Sequence, residues 1–389
     1  MKVLPGNPPK RALVLAPFFS TEMNANRSVS VAHVLAELAA VDVVTTDFDH
    51  WTKKASTASP TDPLLRIVRL KTLPYRSNVS IARLLSHLLF SVRAGAFFLK
   101  HRSRYDVVYV TLPLNLLAWF VLRNAPRQCK IVDIIDIWPD VLPFPARIVR
   151  LFRPIFVLWR KLFDRAVRNA DVMLAVSDAF YAEGLKFANA GCRHKRFYIG
   201  DVKLPCDGRK EDTLTIAYVG NIGRLYDFET LLDVMEDIKR AQLFIVGAGD
   251  RLEWLLAELK RRNLSHQYFG VVYDPAKLAG VLCRAHVGFN GYLNTTAAFS
   301  YKANTYFAAG LPILNSMRGD LRDLVERHGL GFNYSGGDRA SLGRCFASLG
   351  ESDLSSLSRN CSRFFDSELE RGAIRRQMLA FLQNACVLK

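Results

Sequence analysis

Short apolar runs, too uniformly hydrophobic to alternate, recur along this chain, and stretches with helical spacing lie between them. In the first half Arg11–Ala16, Val41–Thr46, Ile67–Leu70, Asp106–Thr111, Lys130–Ile135 and Asp171–Ser177 read as such runs. A strand with no wet side carries no alternating polar residues, so these strands belong in a parallel sheet covered on both faces. Ser28–Ala40 supplies a covering helix with Val31, Leu35 and Leu38 on one face. Ser177 is placed to cap the helix that begins at Asp178. The second half repeats the pattern with strands at Leu214–Gly220, Gln242–Gly247, His266–Val271, Ala285–Phe289 and Pro312–Asn315. Helices are expected between them, as at Asp227–Lys239 and Asp250–Arg262.

Two βα series in 389 residues predict an α/β chain of two doubly wound, Rossmann-like domains. The N-terminal domain spans 1–200 and the C-terminal domain 213–365, joined by a polar linker over 201–212 that holds Pro205 and Gly208. Segment 366–389 contains a further helix over Glu368–Ala385, with the N-terminal domain as one candidate packing partner. In such folds ligands bind outside the carboxyl ends of the strands, so the loops there are where chemistry is sought.

A net charge of +17 calls for an anionic partner: nucleic acid, anionic lipid or a phosphorylated substrate. The seven cysteines are scattered, odd in number and without CxxC spacing, which suits reduced thiols in a cytoplasmic protein better than a disulfide framework or a zinc site. Met1–Lys10 lacks the apolar core of a signal peptide. The longest apolar stretch, Val107–Leu122, is punctuated by Thr111, Pro113 and Asn115 as strand, turn and helix, so no membrane-spanning helix is expected.

Tyr218-Val-Gly-Asn-Ile-Gly-Arg224 follows an apolar strand and precedes a helix. Gly220 and Gly223 would let backbone amides approach a phosphate, and Arg224 could pair with its charge, although many βα turns use glycine merely to turn. Gly247-Ala-Gly249-Asp250 ends the next strand the same way, without the third glycine of a dinucleotide fingerprint. In Ser300-Tyr-Lys-Ala-Asn-Thr-Tyr-Phe-Ala-Ala-Gly-Leu-Pro312 a helix ends at Gly310, and Lys302 sits in its first turn. A cation there is unfavourable unless an anion lies nearby. The eight histidines show no ligand spacing, and Asp47-Phe-Asp49 reads as a plain turn rather than a metal site. Walker A and GxSxG motifs are absent.

The order of YVGNIG, DFETLL, FIVGAGD, YFGVV and SYKANTYFAAGLPIL resembles the C-terminal domain of family 4 glycosyltransferases, in the bacterial branch that builds exopolysaccharide and O-antigen. Asp136-Ile-Trp-Pro-Asp140 is similar to that branch's Asp-Leu-Trp-Pro-Glu signature, and Ala170–Ser177 resembles the strand that ends its first domain. The likeness runs over roughly residues 105–335 and more loosely over the whole chain. It implies a retaining, metal-independent transferase of the GT-B fold, with two domains facing a central cleft. The donor would be a nucleotide-diphosphate sugar, and no other cofactor is called for.

Carried over by position, Gly220, Asn221, Gly223 and Arg224 would face the donor diphosphate, and Gly247 and Gly249 would border the nucleotide. Phe269, Gly270 and Val271 would meet the base through the backbone, and Lys302 would hold phosphate charge as the leaving group gains it. Thr305 stands where the family commonly has a ribose-binding glutamate, with Asn304 before it as a neutral substitute. The loop Pro17–Arg27 lacks the paired glycines usual there and offers Ser20, Thr21, Glu22, Asn24 and Asn26 to a sugar. Asp136 and Asp140 are the acceptor-side carboxylates, Asp140 as a general base, with a turn-capping role the alternative for Asp136.

Ile81–Arg104 and Arg147–Arg168 alternate basic and bulky apolar residues at helical spacing, with Pro154 expected to kink or split the second. Such segments either pack on their own sheet or lie in a lipid interface. Two of them in the acceptor half point to a polyprenyl-diphosphate-linked acceptor and a cytoplasmic protein held on the inner face of the membrane. A nucleotide-sugar epimerase or a non-catalytic scaffold would keep the same fold. Nucleic-acid binding lacks an RNP, KH or helix-turn-helix pattern.

Overall fold

The computed structural model describes residues 10–20, 26–50, 52–56, 63–77, 80–139, 146–206, 208–238, 240–293 and 299–386, apart from the side chains of 146, 148 and 149. The chain divides into two compact units, residues 1–199 with 374–389, and residues 200–373.

The first unit alternates strands and helices in this order: β1 (Arg11–Leu15), α1 (Arg27–Ala36), β2 (Ala40–Thr46), β3 (Leu65–Leu70), α2 (Ile81–His101) and β4 (Val107–Leu112). There follow α3 (Asn115–Arg123), β5 (Cys129–Ile134), α4 (Ala146–Leu151), α5 (Arg153–Arg168), β6 (Val172–Ala175), α6 (Asp178–Leu185) and β7 (Arg193–Arg196). The second unit begins with β8 (Leu214–Val219), α7 (Phe228–Asp237), β9 (Ala241–Val246), α8 (Leu252–Arg261), β10 (Ser265–Tyr268) and α9 (Pro275–Leu282). It continues with β11 (Val287–Asn290), α10 (Tyr301–Ala308), β12 (Ile313–Asn315), α11 (Asp320–His328) and β13 (Gly331–Asn333). Helices α12 (Arg339–Glu351), α13 (Leu354–Phe364) and α14 (Arg371–Ala385) end the chain.

The strand orders are β3-β2-β1-β4-β5-β6-β7 and β10-β9-β8-β11-β12-β13, with parallel pairing throughout. Each chain of strands starts mid-sheet, winds outward and then reverses, which creates a switch point between β1 and β4 in one domain and between β8 and β11 in the other. Both are the doubly wound folds that the apolar runs predict. Helices α1 and α14 cover one face of the first sheet through Val31, Leu35, Ile374, Met378 and Leu382. Helices α2, α3 and α5 cover the other through Phe90, Phe98, Leu117, Val121 and Phe163.

Several expectations are corrected. Strands β7 and β13 were not read from the sequence: Arg-His-Lys-Arg in β7 is a largely exposed edge strand with no apolar signal to see. Cys206 and Cys283 form a disulfide, their Cα atoms 5.3 Å apart across a separation of 77 residues, where reduced thiols were expected. The bond ties the linker to the end of α9, and Leu204 N–H donates to Ala308 O at 3.0 Å, so the linker is packed onto the second domain. Pro154 sits in the first turn of α5 and separates it from α4, as expected from its missing N–H. Residues Ile81–Arg104, 24 in number, are long and apolar enough by length and composition to cross a membrane, where no spanning helix was expected. In the structure Phe90, Ala94 and Phe98 of this helix are buried in the first core.

Candidate functional site

The second domain collects its candidate residues on loops that leave the carboxyl edge of its sheet. The β8 and β9 loops meet through backbone, Gly220 N–H donating to Val246 O and Ile222 N–H to Ala248 O, each at 2.9 Å. Gly247 has φ of +140°, and a Cβ there would lie 1.9 Å from Gly220 O, so only glycine closes this contact. A Cβ on Gly249 would lie 2.1 Å from Ile222 O, and one on Gly220 would meet Lys302 Cε at 2.9 Å. The glycines of these loops therefore let the loops nest against each other and against Lys302.

Lys302 rises from the first turn of α10 into a cage of tyrosines. Its Nζ donates to Tyr218 Oη at 2.5 Å and lies 3.3, 4.2 and 5.3 Å from the ring centroids of Tyr226, Tyr218 and Tyr292. Aromatic faces attract a cation but do not neutralise it. Burial pulls its pKa from 10.5 down to about 6, and no carboxylate among the described residues opposes that shift. An anion arriving here would restore the charge.

The helix that carries Lys302 is fixed by polar contacts invisible to periodicity. Tyr306 Oη accepts from Val219 N at 3.0 Å and donates to Phe289 O at 3.1 Å, bolting α10 to β8 and β11. Asn290, Asn315 and Asn333 stand in register on β11, β12 and β13 and hydrogen-bond side chain to side chain at 2.8 and 2.7 Å. Ser300, at the cap of α10, donates to Asn290 at 2.8 Å and so joins the ladder. Asp227 is a buried hub that accepts from Thr230 at 2.6 Å, Tyr334 at 3.0 Å and the Gly337 amide at 2.8 Å.

The remaining candidates fall unequally. Asn221 and Arg224 are exposed on the β8 loop, and Arg224 makes no hydrogen bond or ion pair among the described residues. Phe269 packs its ring on Phe244 at 5.2 Å and gives its N–H to Ile245 O. Gly270 O accepts from Gly247 N at 2.8 Å, so part of this segment's backbone already serves β9, while Val271 is exposed. Asn304 is 1% exposed on the inner side of α10, which leaves half-buried Thr305 as the more accessible of the pair.

In the first domain a pocket of about 250 Å³ opens at the β1/β4 switch point. Asn26 and Arg27 from the start of α1, His50 after β2, Arg83 of α2, and Asp136 and Trp138 after β5 line it. Asn26 caps α1 by accepting from Val29 N at 3.2 Å, Ser20 is buried, and Thr21, Glu22 and Asn24 lie outside the described residues. Beneath the pocket Arg27 pairs with Asp133 at 2.7 Å, and Tyr109 Oη donates to the same carboxylate at 2.7 Å. Burial opposes the Arg27 charge, but Asp133 outweighs it and the pKa is raised.

Asp136 accepts from Trp138 Nε1 at 2.8 Å and from Ile137 N at 2.9 Å, so it shapes its own loop as well as facing the pocket. Burial raises its pKa despite those bonds and nearby Arg83. A carboxylate so placed suits proton transfer. Asp140 lies outside the described residues. Burial, with Arg83 adding to it, pulls His50 down to about 4 and His87 to about 3, so both imidazoles are neutral at physiological pH. Asp47 and Asp49 accept from Thr72 N and Thr52 N in an ordinary turn, and among the described residues no cluster could hold a metal ion.

Residues 213–350 match the family model described as glycosyl transferases group 1. "Probable glycosyltransferase WbjE" of Pseudomonas aeruginosa is 25% identical over 300 residues, covering 71% of this chain and 73% of that protein. Sucrose-phosphate synthase from Thermosynechococcus elongatus superimposes with a TM-score of 0.70 at 18% identity, over 98% of this chain and 100% of that one. HepE of Anabaena in complex with UDP does so with a TM-score of 0.65 at 13% identity, over 96% and 100%. These structural likenesses show the fold, two Rossmann-like parallel-sheet domains of the GT-B class.

Proposed function

We propose that this chain is a retaining, metal-independent glycosyltransferase of bacterial surface-polysaccharide synthesis. It moves a hexose from a nucleotide-diphosphate sugar, bound by the second domain, to a polyprenyl-diphosphate-linked saccharide bound by the first. The observation that carries the donor half is Lys302, an amine buried beside the glycine-built β8 and β9 loops with no carboxylate among the described residues to hold its charge. In glycosyl transfer the bond from the sugar C1 to the diphosphate oxygen breaks and its electron pair stays on the phosphate. Lys302 and Arg224 stabilise that growing charge. The acceptor hydroxyl oxygen forms the new bond to C1, and its proton passes to a base, for which Asp136 and Asp140 are the candidates. The match of residues 213–350 and the likeness to WbjE support the same reading.

The acceptor half is supported by the exposed apolar side chains of the first domain. Ile81, Leu85, Leu88 and Val92 on α2 and Leu151, Ile155 and Leu158 on α4 and α5 face solvent among arginines. Such a surface suits attachment to an anionic membrane, with each basic residue adding about 1 kcal/mol. The test is transfer of labelled sugar to membranes by the full chain, Arg224→Ala and Lys302→Ala. Both variants are expected to lose most transfer, and unchanged transfer by both would reject the site. Thr305 in place of the family's glutamate favours a second reading, a non-catalytic scaffold. Failure to bind any UDP-, GDP- or dTDP-sugar would select it.

A further inference from the structure

In a βα unit the helix returns against its strand, so the last turns of α2, α3 and α5 lie at the amino edge of the first sheet. The candidate site occupies the opposite, carboxyl edge. Arg102 and Arg104 precede β4, Arg123 and Arg127 precede β5, and Arg165 and Arg168 precede β6, and all six are exposed. These strands are neighbours, so their entries span only about 10 Å. Salt screens charges that close only in part.

The acids of this edge are engaged elsewhere. Asp106 accepts from Arg11 N at 2.9 Å, Asp171 pairs with Lys130 at 3.3 Å, and Asp42 pairs with Arg66 at 2.7 Å. Asp164, which Arg168 also faces, pairs with Arg160 at 3.3 Å. Arg104, Arg127 and Arg165 make no side-chain hydrogen bond or ion pair among the described residues. Cations near a helix C-terminus ordinarily serve the carbonyls of its last turn. Here neutral amides serve them: Asn124 Nδ2 donates to Phe120 O at 2.8 Å, Asn169 Nδ2 to Arg165 O at 2.7 Å, and Asn189 Nδ2 to Arg168 O at 3.0 Å. Gln128 Nε2 donates to Arg102 O at 3.0 Å and to Tyr105 O at 3.3 Å, tying one loop to the next. Arg102 donates to Asn124 O at 2.9 Å. Arg104 and Arg127 stand beyond the α-helices, where the helix dipole has faded. The loops are thus fixed by neutral groups, and the guanidiniums face outward from a rigid rim.

We propose that this edge docks an acidic, Asp- and Glu-rich segment of a partner protein, each guanidinium taking a carboxylate. A second copy of this chain, at a net charge of +17, is repelled as a whole. A bilayer is poorly matched, because Ile81, Leu84, Leu85 and Leu88, exposed at the start of α2, lie about 20–30 Å from Arg102 along the helix. Of that helix's exposed apolar residues only Leu99 comes within a turn of the arginines. Single-stranded nucleic acid needs rings to stack on, and the exposed aromatic residues among those described, Phe152, Tyr268, Tyr273 and Tyr301, lie elsewhere.

The test is fluorescence anisotropy of a labelled oligoglutamate peptide titrated with the full chain. The parent is expected to bind it, more weakly as salt rises. Arg104→Ser, Arg127→Ser and Arg165→Ser combined should weaken binding about tenfold. Arg147→Ser, Arg150→Ser and Arg153→Ser combined remove the same charge from α4 and the start of α5, and should change binding less than about twofold. All six substituted positions are exposed, so both variants keep the fold. Equal loss in the two triple variants would show that net charge alone holds the peptide and would overturn the proposal, as would a parent that does not bind. Phosphatidylglycerol vesicles and duplex DNA are titrated in parallel. If the amino-edge variant loses more affinity for either of these than for the peptide, the arginines serve lipid or nucleic acid and the proposal falls.

Discussion

The two domains share a topology and build their switch-point sites from opposite materials. In the second, backbone does the shaping: Gly220, Gly247 and Gly249 let loops approach within distances no Cβ permits, and the Lys302 amine lies in a ring of tyrosines. In the first, side chains do it: Arg27 on Asp133 beneath, His50, Arg83 and Asp136 around the rim, and leucines beyond. Backbone loops suit a partner whose recognised part is constant, such as a diphosphate, because any phosphate oxygen accepts from any amide. Side-chain walls suit a partner that varies between relatives, because they change without rebuilding the loop.

The comparison breaks first at the buried ion pair. Arg27→Met leaves Asp133, fully buried, with Tyr109 as its remaining donor, and should cost about 3–5 kcal/mol in urea unfolding. Loss below 1 kcal/mol would mean that the first site does not rest on this pair. Next comes Gly247→Ala, which places a methyl 1.9 Å from Gly220 O and should cost about 2–4 kcal/mol together with nucleotide-sugar affinity. Gly270→Ala is its control: φ is +71° but nothing lies within 4 Å, so only strain of about 1–2 kcal/mol is expected. Equal effects of the two would show that packing between the loops is not what glycine serves.

Much of this was legible in advance. Runs too apolar to alternate located nearly all of the parallel strands, and the glycine pairs and Lys302 fell at strand ends as topology requires. What stayed hidden depends on distance in sequence. Arg27 meets Asp133 across 106 residues, and Cys206 meets Cys283 across 77. The asparagine ladder of Asn290, Asn315 and Asn333 looks like three unrelated polar residues until the register aligns them. His87 read as one residue of an amphipathic helix, because nothing local shows that Trp138 lies on it.

A smaller effect sharpens the contrast through pH. The Lys302 pKa falls from 10.5 in the unfolded chain to about 6 in the folded one. Between those values the unfolded chain holds a proton that the folded chain has released, so this residue makes stability rise as pH rises through that window. Lys302→Met removes the dependence. The variant should therefore be more stable than the parent by the most near pH 6, with the gap closing toward pH 10 in thermal melts. A gap that does not vary with pH would contradict the caged, neutral lysine.

The most direct test of the donor site is calorimetric titration at pH 8 with the UDP-, GDP- or dTDP-sugar that binds, in two buffers of different ionisation enthalpy. The account predicts that binding takes up about one proton, as the diphosphate restores charge to Lys302, and that Lys302→Met binds at least tenfold more weakly with no uptake. Equal affinity and equal proton exchange in parent and variant would contradict it.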